Sequence, residues 1–306
     1  MTRLCFAILA HDKPDCLQDQ VQNIRAFAPN ADIVLFNGGR DAHLADGIDI
    51  DVCPYSQPFG YARVARYHYE VMRWLHEEKR GYDFLITVDS DVLLIKPGLD
   101  AYLERVMADH AYMAVLFREI TPQLDWVPGQ TFMHKWEGIW QPIFGTRYPY
   151  GCFNPGQVFR REYAERLMRF PKLDELLTRI DRSRIQCLEE IVWSTMGVTL
   201  GCSPRDFPAP NDSAIRYLVR HSPSDVRRWL SDPSVFLLHP ITMDMDAPER
   251  RLIRALRDGQ TVDYPRLQEE FDAYQEAPPA HKRWQLSVLK PVFARLHNAY
   301  LRVVPE

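Results

Sequence analysis

The chain has 306 residues, of which 46% are hydrophobic and 25% are charged, and its formal net charge is −4 at pH 7. This composition supplies a large buried core and excludes a disordered chain, and the weak negative charge excludes general attraction to nucleic acid. The six cysteines form no C-x-x-C pair, so a reducing compartment is favoured over a disulfide framework or a zinc site.

Strand-like and helix-like segments alternate over the first 120 residues. The apolar run LCFAILA is too short to span a membrane and predicts a buried strand; residues 16–28 then have helical spacing, and ADIVLFNGG is a β-branched run stopped by glycines. There follow a short apolar stretch (GIDIDVCP), a helical pattern over 61–79 and the strand YDFLITVDSDVLLI. The alternation continues with LDAYLERVMADH and AYMAVLFRE. This order predicts an α/β fold with a Rossmann-type mixed, mainly parallel sheet flanked by helices.

The second half of the chain is less regular. Residues 126–157 contain several tryptophans and tyrosines among prolines and glycines, which predicts a long ordered loop. GQVFRREYAERLMRF predicts a strand that turns into a helix, CLEEIVWSTMG a helix that ends at Gly197, and SVFLLHPIT a late strand. Between the last two, SPRDFPAPNDS predicts a loop.

Two carboxylates one residue apart end the strongest strand, in FLITVDSDVLLIKPG. If the strand continues through them, Asp89 and Asp91 point to the same side, and a diphosphate ligand could add a third oxygen donor, a set that suits Mg²⁺ or Mn²⁺. The alternative is that one carboxylate caps a turn while the other is solvated. Apolar residues on both flanks make the pair costly without compensation, which favours the metal site.

This DxD segment, LITVDSDVLLIKPG, together with the order of elements before it, resembles the GT-A glycosyltransferases, whose signature is a hydrophobic strand, DxD, an apolar residue and proline. The resemblance covers roughly residues 4–245. It implies a nucleotide-sugar-dependent enzyme, similar to bacterial polysaccharide glycosyltransferases, in which Mn²⁺ or Mg²⁺ bridges Asp89 and Asp91 to the diphosphate of a donor, with a UDP-sugar favoured. It also implies a glycan or lipid-linked glycan as acceptor.

Three alternatives to this interpretation stay open. A haloacid-dehalogenase-type phosphatase places DxD after its first strand, whereas some eighty residues precede it here. A sugar nucleotidyltransferase opens with a glycine-rich loop after strand one, where this chain has LAHDKPD. A glycan- or nucleotide-binding module without catalysis is expected to lack the DxD carboxylates.

The resemblance also assigns metal-binding and donor-binding residues. His239, at the end of VFLLHP, resembles the late histidine that completes the metal site in many GT-A enzymes, although a lone histidine at a strand end is more often simply hydrogen-bonded. The candidate donor-binding residues have ordinary loop or surface roles as their alternative; they are Ala10, His11, Asp12, Asn37, Arg63, Arg66 and Ser90.

Catalytic and acceptor-binding candidates come from two further segments. CLEEIVWSTMG resembles the acidic pair of many inverting GT-A enzymes, which makes Glu190 the base and Glu189 its neighbour. Helical phase instead places Glu189 nearer the apolar face, and the Glu-Glu pair departs from the usual Glu-Asp, so both glutamates and the inverting mechanism stay open. The aromatic loop and CFNPGQ predict an acceptor platform that comprises Trp136, Trp140, Asn154, Gly156 and Gln157.

The resemblance implies the catalytic domain, its two halves and the location, whereas composition predicts the linker and the C-terminal helix. Residues 1–257 form the catalytic domain, with a nucleotide-binding half (1–125) and an acceptor-binding half (126–257); residues 258–279 form a linker and 280–306 a basic amphipathic helix. That helix predicts binding to an anionic membrane surface, and packing on the catalytic domain or on a partner subunit is the alternative. The predicted location is cytoplasmic, peripheral at the inner face of the cell membrane, and no nucleic-acid partner is expected.

Overall fold

The computed structural model of the protein describes residues 2–60 and 62–276. Its strands are β1 (Leu4–Ala10), β2 (Asp32–Asn37), β3 (Asp51–Val52), β4 (Phe84–Asp89), β5 (Leu93–Leu94), β6 (Tyr112–Glu119), β7 (Tyr150–Arg160), β8 (Arg205–Asp206) and β9 (Leu237–Leu238). Its helices are α1 (Pro14–Phe27), α2 (Ala65–Glu77), α3 (Leu99–Val106), α4 (Val127–Met133), α5 (Gln141–Phe144), α6 (Arg161–Met168), α7 (Leu173–Arg182), α8 (Leu188–Thr199), α9 (Asn211–Ala214), α10 (Pro223–Ser231), α11 (Pro248–Arg257) and α12 (Tyr264–Glu276). Trp136–Trp140 form a π-helical turn.

A large mixed sheet organises these elements in the order β3-β2-β1-β4-β7-β6-β8. The pairs β2–β3, β1–β2, β1–β4 and β6–β8 are parallel, and β7 is antiparallel to both of its neighbours. The predicted α/β class with a mainly parallel sheet flanked by helices is therefore confirmed. Because β7 belongs to the predicted acceptor-binding half and lies between β4 and β6, the two halves share one sheet.

The central strands are apolar on both faces because helices cover both faces. In β1 the alternate residues Cys5, Ala7 and Leu9 belong to one hydrophobic core. The other side chains of β1, including Phe6 and Ile8, belong to a second core on the opposite face. This two-sided burial explains why the strand appears in the sequence as a continuous apolar run instead of an alternating one.

Residues 126–157 differ from the predicted long loop. They hold α4, the π-helical turn and α5, and from Tyr150 onward they belong to β7, the longest of the described strands. Pro128 and Pro142 mislead here because they stand in the first turns of α4 and α5, where a missing N–H costs nothing. Helix α8 likewise extends beyond Gly197 to Thr199.

The C-terminal part of the described chain has a core of its own. Strand β9 pairs with β5 in a small antiparallel sheet, and helices α10, α11 and α12 contact one another around Trp229, Leu252 and Leu267. The predicted linker 258–279 is wrong over Tyr264–Glu276, since α12 occupies those residues and buries Phe271. The segment 280–306 lies outside the described residues, and none of the described helices combines the length and apolarity needed to cross a bilayer.

Candidate active site

The residues predicted from the DxD segment lie at one edge of the large sheet, where β1, β2 and β4 end. Leu9 of β1 is in register with Asp89, the last residue of β4, and Ala10 is in register with Asn37 of β2. Because β7 runs in the opposite direction, the beginning of this strand reaches the same edge. Ligands of open α/β sheets bind outside the carboxyl ends of the strands, so this edge is the expected site.

Two carboxylates and an imidazole lie just beyond β4. Asp91 Oδ2 is 3.4 Å from His239 Nε2, and the Ile241 N–H donates to the Asp91 carbonyl at 2.8 Å. His239 Nδ1 is 2.9 Å from the Arg216 carbonyl oxygen, a contact that it can make only as a donor. This bond orients the ring so that Nε2 faces Asp91.

The negative charge of this turn is only partly compensated. Burial, followed by the charge of Asp91, raises the pKa of Asp89 to about 6. Burial alone would lower the pKa of His239, but the hydrogen bond and the charge of Asp91 outweigh it and raise that pKa. The shift of Asp89 thus reflects burial first, whereas the shift of His239 shows that the carboxylates favour positive charge at the imidazole.

The donor set of this turn fits the predicted divalent cation by its chemistry. Within residues 2–60 and 62–276, no group of three His, Cys, Asp or Glu side chains is already gathered for a metal ion. The site instead offers the Asp91–His239 pair, with Asp89 at the start of the same turn. Carboxylate oxygen and imidazole nitrogen are suitable ligands for Mn²⁺, and a diphosphate or water would have to complete its shell.

Glu189 and Glu190 form the first turn of α8 and are both buried, with 4% and 7% exposure. Glu190 Oε1 accepts a hydrogen bond from the Asn154 N–H at 3.2 Å, whereas Glu189 Oε2 has no hydrogen-bond partner among the described residues. Burial raises the pKa of Glu189 to about 8, and the charge of Asp89 acts in the same direction. Burial and then the charge of Glu189 raise the pKa of Glu190 well above its usual range.

The charge of Asp89 acts on both glutamates, so the glutamate pair lies near the DxD turn.

The predicted phase difference between the two glutamates is wrong, because every residue of α8 from Leu188 to Gly197 is buried and the helix has no solvated face over that length. The burial of Glu189 and Glu190 is therefore too similar to show which of the two is the catalytic residue.

Asn154 of β7 links the two acidic groups. Its N–H is bonded to Glu190, its side-chain oxygen accepts from Gln157 Nε2 at 2.8 Å, and a hydrogen bond from its side chain counters the burial that raises the pKa of Asp89. The reversed direction of β7 brings this residue to the carboxyl end of β4. Asn154 thus connects the two groups of carboxylates, and its contact with an acceptor stays a prediction.

The predicted donor-binding residues after β1 and β2 lie at the same edge. Ala10 is buried and ends β1, whereas His11 and Asp12 are exposed. Asn37 orders its own loop, since its Nδ2 donates to the Asp41 carbonyl and its Oδ1 accepts from the Gly39 N–H. A Cβ atom at Gly39 would lie 1.8 Å from the His11 carbonyl oxygen, so the glycines of ADIVLFNGG permit a close approach of two loops.

The other predicted donor-binding residues are distributed unevenly. Ser90 is buried in the DxD turn, with its hydroxyl 3.7 Å from Met243 Sδ. Arg66 forms ion pairs with Glu70 and with Asp181, which supports the surface role for this residue. Arg63 is exposed and lines a cavity of about 230 Å³ between the start of α2 and the end of α7.

The predicted acceptor platform is corrected by the structure. Trp136 and Trp140 are 2% and 0% exposed and pack against Phe132 and Phe144. Side chains buried in this way do not offer a face to a sugar ring. Their aromatic character marks a core, as is usual for tryptophan at such low exposure.

Gly156 and Gln157 are also inside the protein. Gln157 has no exposed surface and is bonded to Asn154 and to the hydroxyl of Tyr112 at 2.7 Å. Gly156 has a φ of 82°, and a Cβ atom there would lie 3.3 Å from the Ile215 side chain. Both predictions of acceptor contact are therefore wrong, because these residues shape the floor under Asn154.

Two further side chains near the site were missed from the sequence. Arg118 of β6 is exposed, and its positive charge opposes the rise in the pKa of Glu190. Tyr217 is 64% exposed and lies edge-on to Phe153, whose ring is 5.4 Å from that of His239. Neither residue lies in a motif, and only the pairing of distant strands brings them here.

No family model and no curated protein matches the chain. Solved structures with which it aligns include the galactosyltransferase LgtC in complex with donor and acceptor sugar analogs (13% identity over 87% of this chain and 99% of that one, TM-score 0.43). Two others are the glycosyltransferase GlyE of Streptococcus pneumoniae TIGR4 (11%, 92% and 66%, 0.44) and A197 from STIV (13%, 67% and 81%, 0.33). The function proposed below rests on the residues of the site.

Proposed function

We propose that this chain is a metal-dependent glycosyltransferase that moves a sugar from a nucleotide-sugar donor to a hydroxyl of a glycan or glycolipid acceptor. One observation carries the proposal: Asn154 connects the buried pair Glu189–Glu190 to the end of β4 beside the DxD turn, and the charge of Asp89 adds to the burial that raises the pKa values of both glutamates. Cation-binding groups beside a carboxylate of raised pKa are what transfer from a diphosphate to a hydroxyl requires.

The donor end of the site is formed by the DxD turn. Asp89, Asp91 and His239 would hold Mn²⁺ or Mg²⁺, which supplies charge stabilisation for the departing nucleotide diphosphate. The exposed His11 and Asp12, at the end of β1, are proposed to face the nucleoside, for which we favour uridine. Arg63, which is exposed just before α2, is the proposed cation for the phosphates.

The acceptor end is formed by the glutamates. In an inverting transfer the proton of the attacking hydroxyl goes to a carboxylate while the bond between the sugar carbon and the diphosphate breaks. We propose Glu190 as this base because Asn154 fixes its orientation, with Glu189 beside it. Burial, followed by the charge of Glu189, raises the pKa of Glu190, so this carboxylate has a greater affinity for the proton of the hydroxyl than an exposed glutamate has.

The alternatives receive less support from the site. DxD follows β4, not β1, which does not suit a haloacid-dehalogenase-type phosphatase. The segment after β1 is exposed and contains no glycine, unlike the phosphate loop of a nucleotidyltransferase. Both DxD carboxylates are present and Asp91 faces His239, which favours catalysis over a binding module.

The biological setting is proposed from the sequence. We propose cell-surface polysaccharide assembly from the cytoplasmic side, with the basic segment 280–306 at an anionic membrane surface. This segment lies outside the described residues, so liposome flotation is its test.

A ligand screen tests the proposed function. Thermal unfolding is measured with UDP-, GDP-, CMP- and dTDP-sugars, with and without Mn²⁺, and hydrolysis of each sugar is followed. We expect one nucleotide to stabilise the protein only with Mn²⁺, and its sugar to be hydrolysed slowly. Stabilisation by none of these ligands, or equal hydrolysis in excess chelator, would contradict the proposal.

A further inference from the structure

Helix α1 buries polar side chains against the DxD turn. Gln20 and Asn23 are 0% and 2% exposed, although they lie on the helix face that also carries Leu17, Val21 and Ile24 into the core. Burying a side-chain amide is unfavourable unless its groups are hydrogen-bonded. We therefore examined which groups form hydrogen bonds with these two amides.

Both amides bind the backbone of one short segment. Gln20 Nε2 donates to the carbonyl oxygens of Asp89 and Val92, both at 2.8 Å. Asn23 Nδ2 donates to the Leu94 carbonyl at 2.9 Å, and its Oδ1 accepts from the Leu94 N–H at 2.8 Å. The two side chains thus supply the hydrogen bonds that a neighbouring strand would otherwise make to residues 89–94, where the chain leaves the large sheet.

We infer that Gln20 and Asn23 are positioning residues that set the backbone of the Asp89–Asp91 turn so that its carboxylates can hold a divalent cation with a nucleotide diphosphate. The inference rests on the proposed function. The four hydrogen bonds span residues 89–94, and Asp91 lies between the two carbonyls that Gln20 binds. A turn held at both ends in this way has little freedom to rotate its carboxylates apart.

A purely structural role explains these residues less well. Gln20 Oε1 is buried without a hydrogen-bond partner among the described residues, so this amide carries an uncompensated polar atom that an apolar side chain would avoid. Groups that orient the direct ligands of a metal typically contribute roughly 10–100-fold to its affinity. A contribution of this size to cation affinity would explain why position 20 holds a glutamine and not an apolar residue.

The test compares two variants with the same local chemistry. Gln20→Met keeps the length of the side chain and removes its donors. The matched control is Gln130→Met, because Gln130 Nε2 also donates to two backbone carbonyls three residues apart, those of Thr121 and Leu124, in a segment outside the site. Gln20→Asn, which retains the amide on a shorter side chain, is measured alongside in case the methionine variant does not fold.

Binding of Mn²⁺ with UDP is measured by calorimetry, and backbone hydrogen exchange is measured in the ligand-free protein. We expect the Gln20 variants to bind roughly 10–100-fold more weakly and to exchange Val92 and Leu94 faster, and Gln130→Met to bind like wild type. Unchanged binding in a folded Gln20 variant overturns this inference alone. Absence of Mn²⁺-dependent UDP binding in the wild type overturns the proposed function, and the inference with it. Equal weakening by Gln130→Met would show a general loss of stability and also overturn the inference.

Discussion

Replacing Glu189 with glutamine should stabilise the protein at neutral pH. The native state raises the pKa of Glu189 from 4.5 to about 8, mainly by burial, whereas the unfolded chain leaves this carboxyl at its ordinary value. Between these two values the unfolded state loses its proton and the native state keeps it, so stability present below pH 4.5 is lost progressively until about pH 8. At pH 7 the loss spans roughly 2.5 pH units at about 1.4 kcal/mol each, which gives an upper bound of about 3.5 kcal/mol.

Competing effects do not cancel this gain. The favourable interaction of a carboxylate with a helix N-terminus is about 0.3–1 kcal/mol, which is smaller than the burial penalty. Glutamine has nearly the same shape as the protonated glutamate and no charge to lose. We therefore expect Glu189→Gln to raise the free energy of unfolding by about 1–3 kcal/mol at pH 7 and by nearly nothing at pH 4.5.

Urea denaturation at the two pH values measures this difference. Glu175→Gln is the matched control, because Glu175 also lies in the first turn of a helix, α7, but is exposed. This control should change little at either pH. If Glu189→Gln is no more stable than wild type at pH 7, or gains as much at pH 4.5, burial does not dominate the environment of Glu189 and the reasoning is refuted.

Four other outcomes follow from the site and its surroundings. Asp91→Asn should abolish Mn²⁺-dependent nucleotide binding with the fold intact, and His239→Ala should weaken it less, as measured by thermal shift; full activity of Asp91→Asn would remove the metal hypothesis. Glu190→Gln should lower turnover by about 10²-fold or more while donor affinity stays nearly constant, and steady-state kinetics that show no loss would exclude it as the base. Trp140→Ala should destabilise the fold by about 3–5 kcal/mol in urea, because this side chain is fully buried; an acceptor role would instead change KM in a stable protein. A chain truncated after Pro279 should lose salt-sensitive flotation with anionic liposomes, whereas a full-length chain that ignores anionic lipid would contradict the membrane role.

The sequence predicts the elements whose signal is local. The strand β4 and its two aspartates are visible because an apolar run and a carboxylate pair stand next to each other, and β1, α1 and β2 follow from periodicity. The class of fold follows from their alternation. Strands of two residues such as β3 and β9 are extended mainly by their neighbours, so their short lengths could not be read from composition.

The remainder of the site depends on contacts between distant segments. Asn154 reaches Glu190 and Asp89 because β7 runs against its neighbours, and nothing in CFNPGQ specifies that direction. The sequence predicts an acceptor contact for Trp140, which is buried, because a sequence does not show whether a tryptophan lies on a surface or in a core. Gln20 is recognisable only from the turn that it binds, some seventy residues further along the chain.

The small β5–β9 sheet lies next to the Asp91–His239 pair of the candidate site. Asp91 comes just before β5 and His239 just after β9, and because these strands are antiparallel the two side chains lie at the same end of the small sheet. The proposed cation, if shared by them, would close a loop on the order of 150 residues and would strengthen the pairing of β5 with β9. The C-terminal core that contains these strands would then unfold less readily when the ion is bound.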